Sequence, residues 1–386
     1  MIAFDKTALP EKVRLSGADC FHLVLDKHAK KHGAGGNVMR KIFYFGKPIS
    51  FNKIEVILKS SPVIYWLCNI ELVPGSLRRI PYWKYSDKGR QIIINEQHVG
   101  IENEIPSKIL NRDINIDSDR YVEADLLCYP SGSCAFILSW NHILLDAKGT
   151  TLLFDHLNQL TEKKQTDFAN FFPAKEKRPD VIRYIRNMYK VKAFIQKSSR
   201  APVSSIAAKK CRSSEGITRY KSIHFSSAET SKINRNAFKT GSRFGPTLFF
   251  IACCSQVIYK HNRQHNKQGD IWLPVPYDGR LKGGVGPLIS NCVSFLFYRL
   301  GESDLKDMTV TVKCLSAQMT AQIKDRMPQQ YTMFLNMMRH IPLWLYYFII
   351  SRTGEGTFAS FLYTSTGAQA GEPVGQFGSC FHGTEY

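Results

Sequence analysis

Residues 139–149 read SWNHILLDAKG. A histidine, three aliphatic residues and an aspartate follow one another: His142, Ile143, Leu144, Leu145, Asp146. The run before them, CAFILSW, is apolar and β-rich. The run after them, GTTLLFDHLNQL, carries Leu152, Leu153, Phe154, Leu157 and Leu160 at helical spacing. A strand therefore delivers His142 to its carboxyl end, and a helix opens near Gly149. In open α/β sheets, ligands collect outside the carboxyl ends of strands. A neutral imidazole there, with an unperturbed pKa of about 6.5, is a competent general base. The competing reading is a histidine that closes a strand, with Asp146 capping the next helix.

The pattern H-x-x-x-D occurs a second time, from His22 to Asp26. That pair lies in an amphipathic run, CFHLVLDKH, and reads as an ordinary i,i+4 contact on a helix surface.

Outward from these points the chain alternates helices and strands. A short helix covers the CFHLVL region, GAGG (residues 33–36) breaks it, and VMRKIFYFG is a strand. A helix opens at Ser50. YVEADLLCY and CAFILSWNH form a hairpin joined by PSGS (residues 130–133). Beyond residue 217, RYKSIHF is expected as a strand and SSAE (residues 226–229) as a capping box. GPTLFFIACCSQVIYKH is expected as a buried helix, with Cys253 and Cys254 in the core. DIWLPVP and NCVSFLFYRL are strands, about 304–326 is a long helix, and TFASFLYTSTG (residues 357–367) is a last strand. The fold class is α/β, in two lobes of similar make: residues 1–165 and 217–386, joined by a basic connector, 166–216, with one helix inside it.

The net charge is +20. Half of it lies between Lys175 and Arg212, where 12 basic residues meet 2 acidic ones. DVIRYIRNMYKVKAFIQK in that stretch is an amphipathic basic helix. It suits an anionic membrane surface, an acidic carrier protein or the phosphates of a ligand, beside the plainer reading of a surface helix docked on a lobe. Nucleic acid is a weaker match, because no binding motif accompanies the charge. The ten cysteines form no C-x-x-C pair and sit mostly in apolar runs. They read as buried, reduced thiols, neither a metal site nor a disulfide framework, which places the chain in a reducing, cytoplasmic setting. The opening residues lack the apolar core of a secretory signal. IPLWLYYFII (residues 341–350) is too short to span a bilayer and is expected to be buried.

NHILLDAKG resembles the H-x-x-x-D-G motif of the CoA-dependent acyltransferase superfamily, which includes chloramphenicol acetyltransferases, condensation domains, wax ester synthases and alcohol acetyltransferases. LSGADCFHLVLDKH, RIPYWK, LPVPYDGRLKGGVGPLISNCVS and FLYTSTG resemble further family segments in the same order. The resemblance implies two chloramphenicol-acetyltransferase-like lobes, each a mixed sheet with helices, and a channel between them. It implies acyl transfer from acyl-CoA or an acyl carrier protein phosphopantetheine to an alcohol or amine acceptor, with these as co-substrates and no permanently bound cofactor. His142 would be the base. Asp146 would pair with an arginine, with Arg280 the candidate beside Arg79 and Arg299. Gly149, Arg280, Ser290 and Asn291 would line the substrate site, the last two as oxyanion donors.

The sequence also departs from the family pattern. Asn141 stands in place of a frequent first histidine, Ala147 in place of the motif glycine, and Thr366 in place of an asparagine. The chain reaches Tyr386 soon after its last expected strand, so the second lobe reads as short. The alternative reading is a shortened or non-catalytic member acting as a binding module, peripheral to a membrane.

Overall fold

The computed structural model describes residues 4–31, 36–76, 79–118, 120–161, 168–174, 181–198, 202–206, 218–243, 245–280, 286–351, 359–365 and 383–385. In chain order its first half comprises β1 (Lys12–Arg14), α1 (Gly17–Lys31), β2 (Val38–Phe45), α2 (Phe51–Ser60), α3 (Pro62–Cys68), β3 (Ile70–Val73), β4 (Tyr82–Tyr85), β5 (Ile94–His98), α4 (Ser107–Leu110), β6 (Val122–Cys128), β7 (Cys134–Asn141) and α5 (Ala147–Thr161). The second comprises α6 (Val181–Ser198), α7 (Ser227–Lys239), α8 (Thr247–Gln264), β8 (Ile271–Asp278), β9 (Val293–Leu300), α9 (Met308–Lys324), α10 (Met327–Met338), α11 (Leu343–Ser351) and β10 (Gly383–Glu385).

The first lobe is built on a mixed sheet in the order β10-β2-β7-β6-β5, in which β5 and β6 run parallel. A smaller sheet, β1-β4-β3, lies in the same core. β7 is central and buried at all eight positions, so its apolar run needs no alternation. The second lobe has its own core, where α8 and α9 cover the β8–β9 pair with Leu248, Ile251, Leu273, Tyr298, Val312 and Leu315. A third cluster joins the lobes: Ala18 of α1, Val191 of α6, Phe297 of β9 and Tyr331 of α10. The join is close. A Cβ on Gly17 would fall 2.1 Å from the Leu335 carbonyl carbon, so α1 can cross α10 here only through glycine. Leu288 and Ile289, far along the chain, pack into the first core.

Several sequence expectations coincide with elements of the structure. Ser50 is the N-cap of α2, and Ser226 with Glu229 forms a capping box on α7. The one helix expected in the basic connector is α6.

Others are corrected. RYKSIHF forms no strand, and Ile223 and Phe225 stay exposed. Residues 359–365 carry no strand either, although Ser360 N donates to Trp272 O at 2.8 Å beside β8. Thr366 and residues 281–285 lie outside the described residues. Cys254 is exposed and Cys253 only half-buried, because α8 turns Ile251, Ala252, Ser255 and Ile258 inward and these two away. In α11 only Tyr346 is fully buried, while Trp344, Phe348 and Ile349 face outward. Among the described residues no helix is long and apolar enough to cross a membrane.

Candidate functional site

β7 ends at Asn141, and the backbone leaves the sheet at His142. The β2–β7 ladder pairs Val38 with Asn141, and His142 N extends it by one bond to Asn37 O at 2.9 Å. The turn that follows is held from within. Asn141 Oδ1 accepts from Ile143 N at 3.2 Å, and its Nδ2 donates to Ile114 O at 2.9 Å. Trp140 Nε1 donates to Leu145 O at 3.0 Å. Asn141 thus shapes the backbone with both ends of its amide. Ala147 opens α5 and is not among the residues with positive φ, so the exchange of glycine for alanine carries no backbone strain here.

His142 is half-buried. Its Nδ1 is buried and makes no hydrogen bond to the protein. Burial pulls its pKa below the usual histidine value, opposed by its own carbonyl, the Asp146 carboxylate and the Asn291 side chain. Burial thus favours the neutral ring.

Asp146 and Arg280 form a two-point ion pair, with guanidinium nitrogens 2.9 and 3.0 Å from the two carboxylate oxygens. The same carboxylate accepts from Gly149 N at 2.7 Å and Cys292 N at 2.8 Å. Burial opposes charge on Arg280, but the Asp146 carboxylate more than restores it and raises its pKa. Arg280 also donates to Pro287 O and Asp278. The candidate partners not used by Asp146 lie elsewhere: Arg299 pairs with Asp270 at 2.8 Å, and Arg79 is exposed. Gly149 sits where a Cβ would meet Leu288 O at 2.5 Å. Its role is close approach of α5 to the 288–291 segment.

Ser290 and Asn291 come to the site, but their donors are engaged. Ser290 has φ +96°, its N donates to Leu144 O at 2.7 Å and its Oγ to Asp19 at 2.8 Å. Asn291 N and Nδ2 reach Asp19 Oδ1 at 2.7 and 2.9 Å, and Nδ2 also reaches His142 O at 2.8 Å and Ile143 O at 3.1 Å. The expectation that these two residues donate to an oxyanion does not fit this arrangement. They tie the second lobe to the His142 turn.

The sequence reading missed α1. His22 is 6% exposed and Asp26 is 2% exposed, not a surface pair. The His22 ring stacks on His142, with centroids 3.9 Å apart and planes 21° apart. Asn37 Nδ2 lies 3.0 Å from His22 Nδ1. With the amide as donor, Nδ1 is the acceptor and the ring proton sits on Nε2. Burial first, and then the nearby His142, hold the His22 pKa well below the usual value. Asp26 accepts from Asn37 N at 2.8 Å and pairs with Lys30 at 3.0 Å. Asp19 binds Ser16, Ser290 and Asn291. Burial pushes its carboxyl above the usual range, and those donors oppose the push. One signal was in the sequence: Asp19, His22 and Asp26 fall at i, i+3 and i+7, so all three share one face of the helix.

Among the described residues no group of three or more His, Cys, Asp or Glu side chains is placed to hold a metal.

No protein-family model and no curated protein sequence matches the chain. Solved structures do. The first condensation domain of the CDA synthetase is 13% identical, with a TM-score of 0.56, covering 81% of this chain and 74% of that one. The condensation domain of the Monacolin K polyketide synthase MokA is 12% identical, with a TM-score of 0.54, covering 95% and 80%. A starter condensation domain of rhizomide synthetase RzmA, solved in complex with C8-CoA and Leu-SNAC, is 10% identical, with a TM-score of 0.54, covering 88% and 77%. The chain has the two-lobed fold of these condensation domains.

Proposed function

We propose that the protein is an acyltransferase that moves an acyl group from a CoA or carrier-protein thioester to an alcohol or amine, with His142 as general base. The observation that carries this reading is the place of His142. It is a half-buried imidazole at the carboxyl end of the central strand, where the two lobes meet, and burial holds its pKa below the usual histidine value.

On this reading Nε2 takes the proton from the acceptor hydroxyl or amine. The freed lone pair attacks the thioester carbonyl. The tetrahedral adduct collapses with loss of the C–S bond, and the imidazolium returns its proton to the departing thiolate. Direct attack needs no acyl-enzyme. Asp146 takes no proton. It is committed to Arg280, Gly149 and Cys292, and so fixes the turn that carries the base. Ser290 and Asn291 serve the same purpose from the other lobe, anchored on Asp19 of α1.

The likeness to condensation domains supports the reading at the level of fold. One of those neighbours was solved with C8-CoA, which makes an acyl thioester the donor class to test first. The experiment incubates the protein with a panel of acyl-CoAs and alcohol or amine acceptors and follows free thiol. Wild type is expected to release thiol in an acceptor-dependent way. His142→Ala is expected to lose roughly 10²- to 10⁴-fold of that rate while staying folded. Equal release by the two proteins overturns the assignment.

A further inference from the structure

The most basic helix of the chain has two working faces, and the fold uses one. α6 spans 18 residues with no acidic side chain. Its inner face is settled: Asn187 and Val191 are buried, Asn187 Nδ2 lies 3.1 Å from Met333 Sδ, and Phe194 packs on Phe297. Its outer face is not polar, as a solvated face would be. Ile182 is 82% exposed, Tyr189 64% and Ile185 44%. At about 100° per residue these three fall on one stripe roughly 60° wide, with Ala193 at its edge. Exposed Arg186, Lys190 and Lys197 border the stripe on one side, and exposed Lys192 borders it on the other.

We infer that this outer face docks α6, side-on, to a bilayer that carries anionic headgroups. Two features favour a lipid surface over an acidic protein. The basic residues flank the apolar stripe on both sides, so their stems can lie along the acyl boundary while the charges reach headgroups. Tyr189 supplies the amphipathic ring that prefers this boundary. The charge complementarity is one-sided: +20 overall, with no acidic residue in this helix to offset its own share. The inference goes beyond the acyl-transfer reading and stands or falls without it.

The test is co-sedimentation of the full chain with vesicles of phosphatidylcholine alone and of phosphatidylcholine mixed with phosphatidylglycerol. Binding to the mixed vesicles only, weakened by salt, is expected. Each basic residue at an anionic surface contributes about a fivefold factor. Arg186→Gln, Lys190→Gln and Lys197→Gln together are therefore expected to weaken partitioning on the order of a hundredfold. Ile185→Ser with Tyr189→Ser is expected to weaken it as well, at unchanged circular dichroism, since both side chains are exposed. Three results overturn the inference: no binding to mixed vesicles at low salt, binding indifferent to both variant sets, or a dimer in solution that is lost with the same substitutions. Thiol release in the absence of vesicles is expected to be unchanged in both variants, so failure here is separable from failure of the proposed chemistry.

Discussion

The imidazole of His22 lies face to face with that of His142, 3.9 Å between centroids. One ring comes from α1 and the other from the turn after β7, and Asn37 holds both, by its carbonyl on His142 N and its amide on His22 Nδ1. His22 thus covers one face of the candidate base. Its removal is expected to let water reach His142 and to relax the burial that depresses its pKa. His22→Ala should lower turnover by about ten- to a hundredfold through lost positioning. It should also move the acidic limb of the kcat/KM profile upward, toward the unperturbed value of about 6.5. His22→Phe keeps a flat ring in place and should leave the limb where it is. A profile that shifts alike in both variants, or in neither, speaks against this positioning role.

The Asp146–Arg280 pair is buried, with side chains 9% and 1% exposed. Breaking one side of such a pair leaves the other charge in low dielectric, at a cost of about 3–5 kcal/mol. Asp146→Ala is expected to approach that figure, reduced by the second contact of Arg280 with Asp278 at 3.2 Å. Arg280→Met should be similar. The double variant should be less destabilised than the sum of the two, with a coupling of about 0.5–3 kcal/mol, measured by urea unfolding. Strict additivity would show that the pair contributes nothing beyond its parts.

The glycine at 149 is read here as a packing requirement. A Cβ there would stand 2.5 Å from Leu288 O, a backbone atom that cannot swing aside. Gly149→Ala must therefore push the 288–291 segment away from α5. Ser290 and Asn291 would carry the His142 turn with them, since Asn291 Nδ2 binds the His142 carbonyl. The expected outcome is a loss of turnover of roughly a hundredfold for a shift near 1 Å, with a smaller loss of stability. Gly132→Ala is the control, because nothing lies within 4 Å of a Cβ there; it should cost stability through its φ of +80°, without touching the turn.

Much of this site was legible in the residues, and its gaps have physical reasons. The strand–turn–helix around His142 announced itself by a change of apolar spacing, whereas Arg280 was reached only through the family resemblance, as one candidate beside Arg79 and Arg299. The α1 contribution was hidden because periodicity reports that a helix has a polar face, not what that face meets. Asp19, His22 and Asp26 form such a face, and it meets the other lobe and β2 rather than water. The donors of Ser290 and Asn291 were assigned to a ligand because a sequence cannot show that Asp19, some 270 residues earlier, already occupies them. RYKSIHF is no strand although its residues favour one, because β propensity depends on tertiary context that the local sequence does not carry.

Acid sensitivity is the last expectation. His156 is 2% exposed, on α5, with its ring 4.9 Å from Phe171. Burial pulls its pKa down to about 4, and burial also lowers His22 and His142. In each case the unfolded chain binds a proton at a pH where the folded chain does not. The stability tied to these rings is therefore present above about pH 6.5 and is lost as the pH falls toward the folded values. For His156 alone the loss between pH 7.5 and 5 is roughly 2 kcal/mol. Urea midpoints at those two values should separate accordingly. His156→Leu, which buries an apolar side chain of similar size, should narrow the gap by about that amount. A gap unchanged in His156→Leu would show that this ring gains its proton without opening the fold.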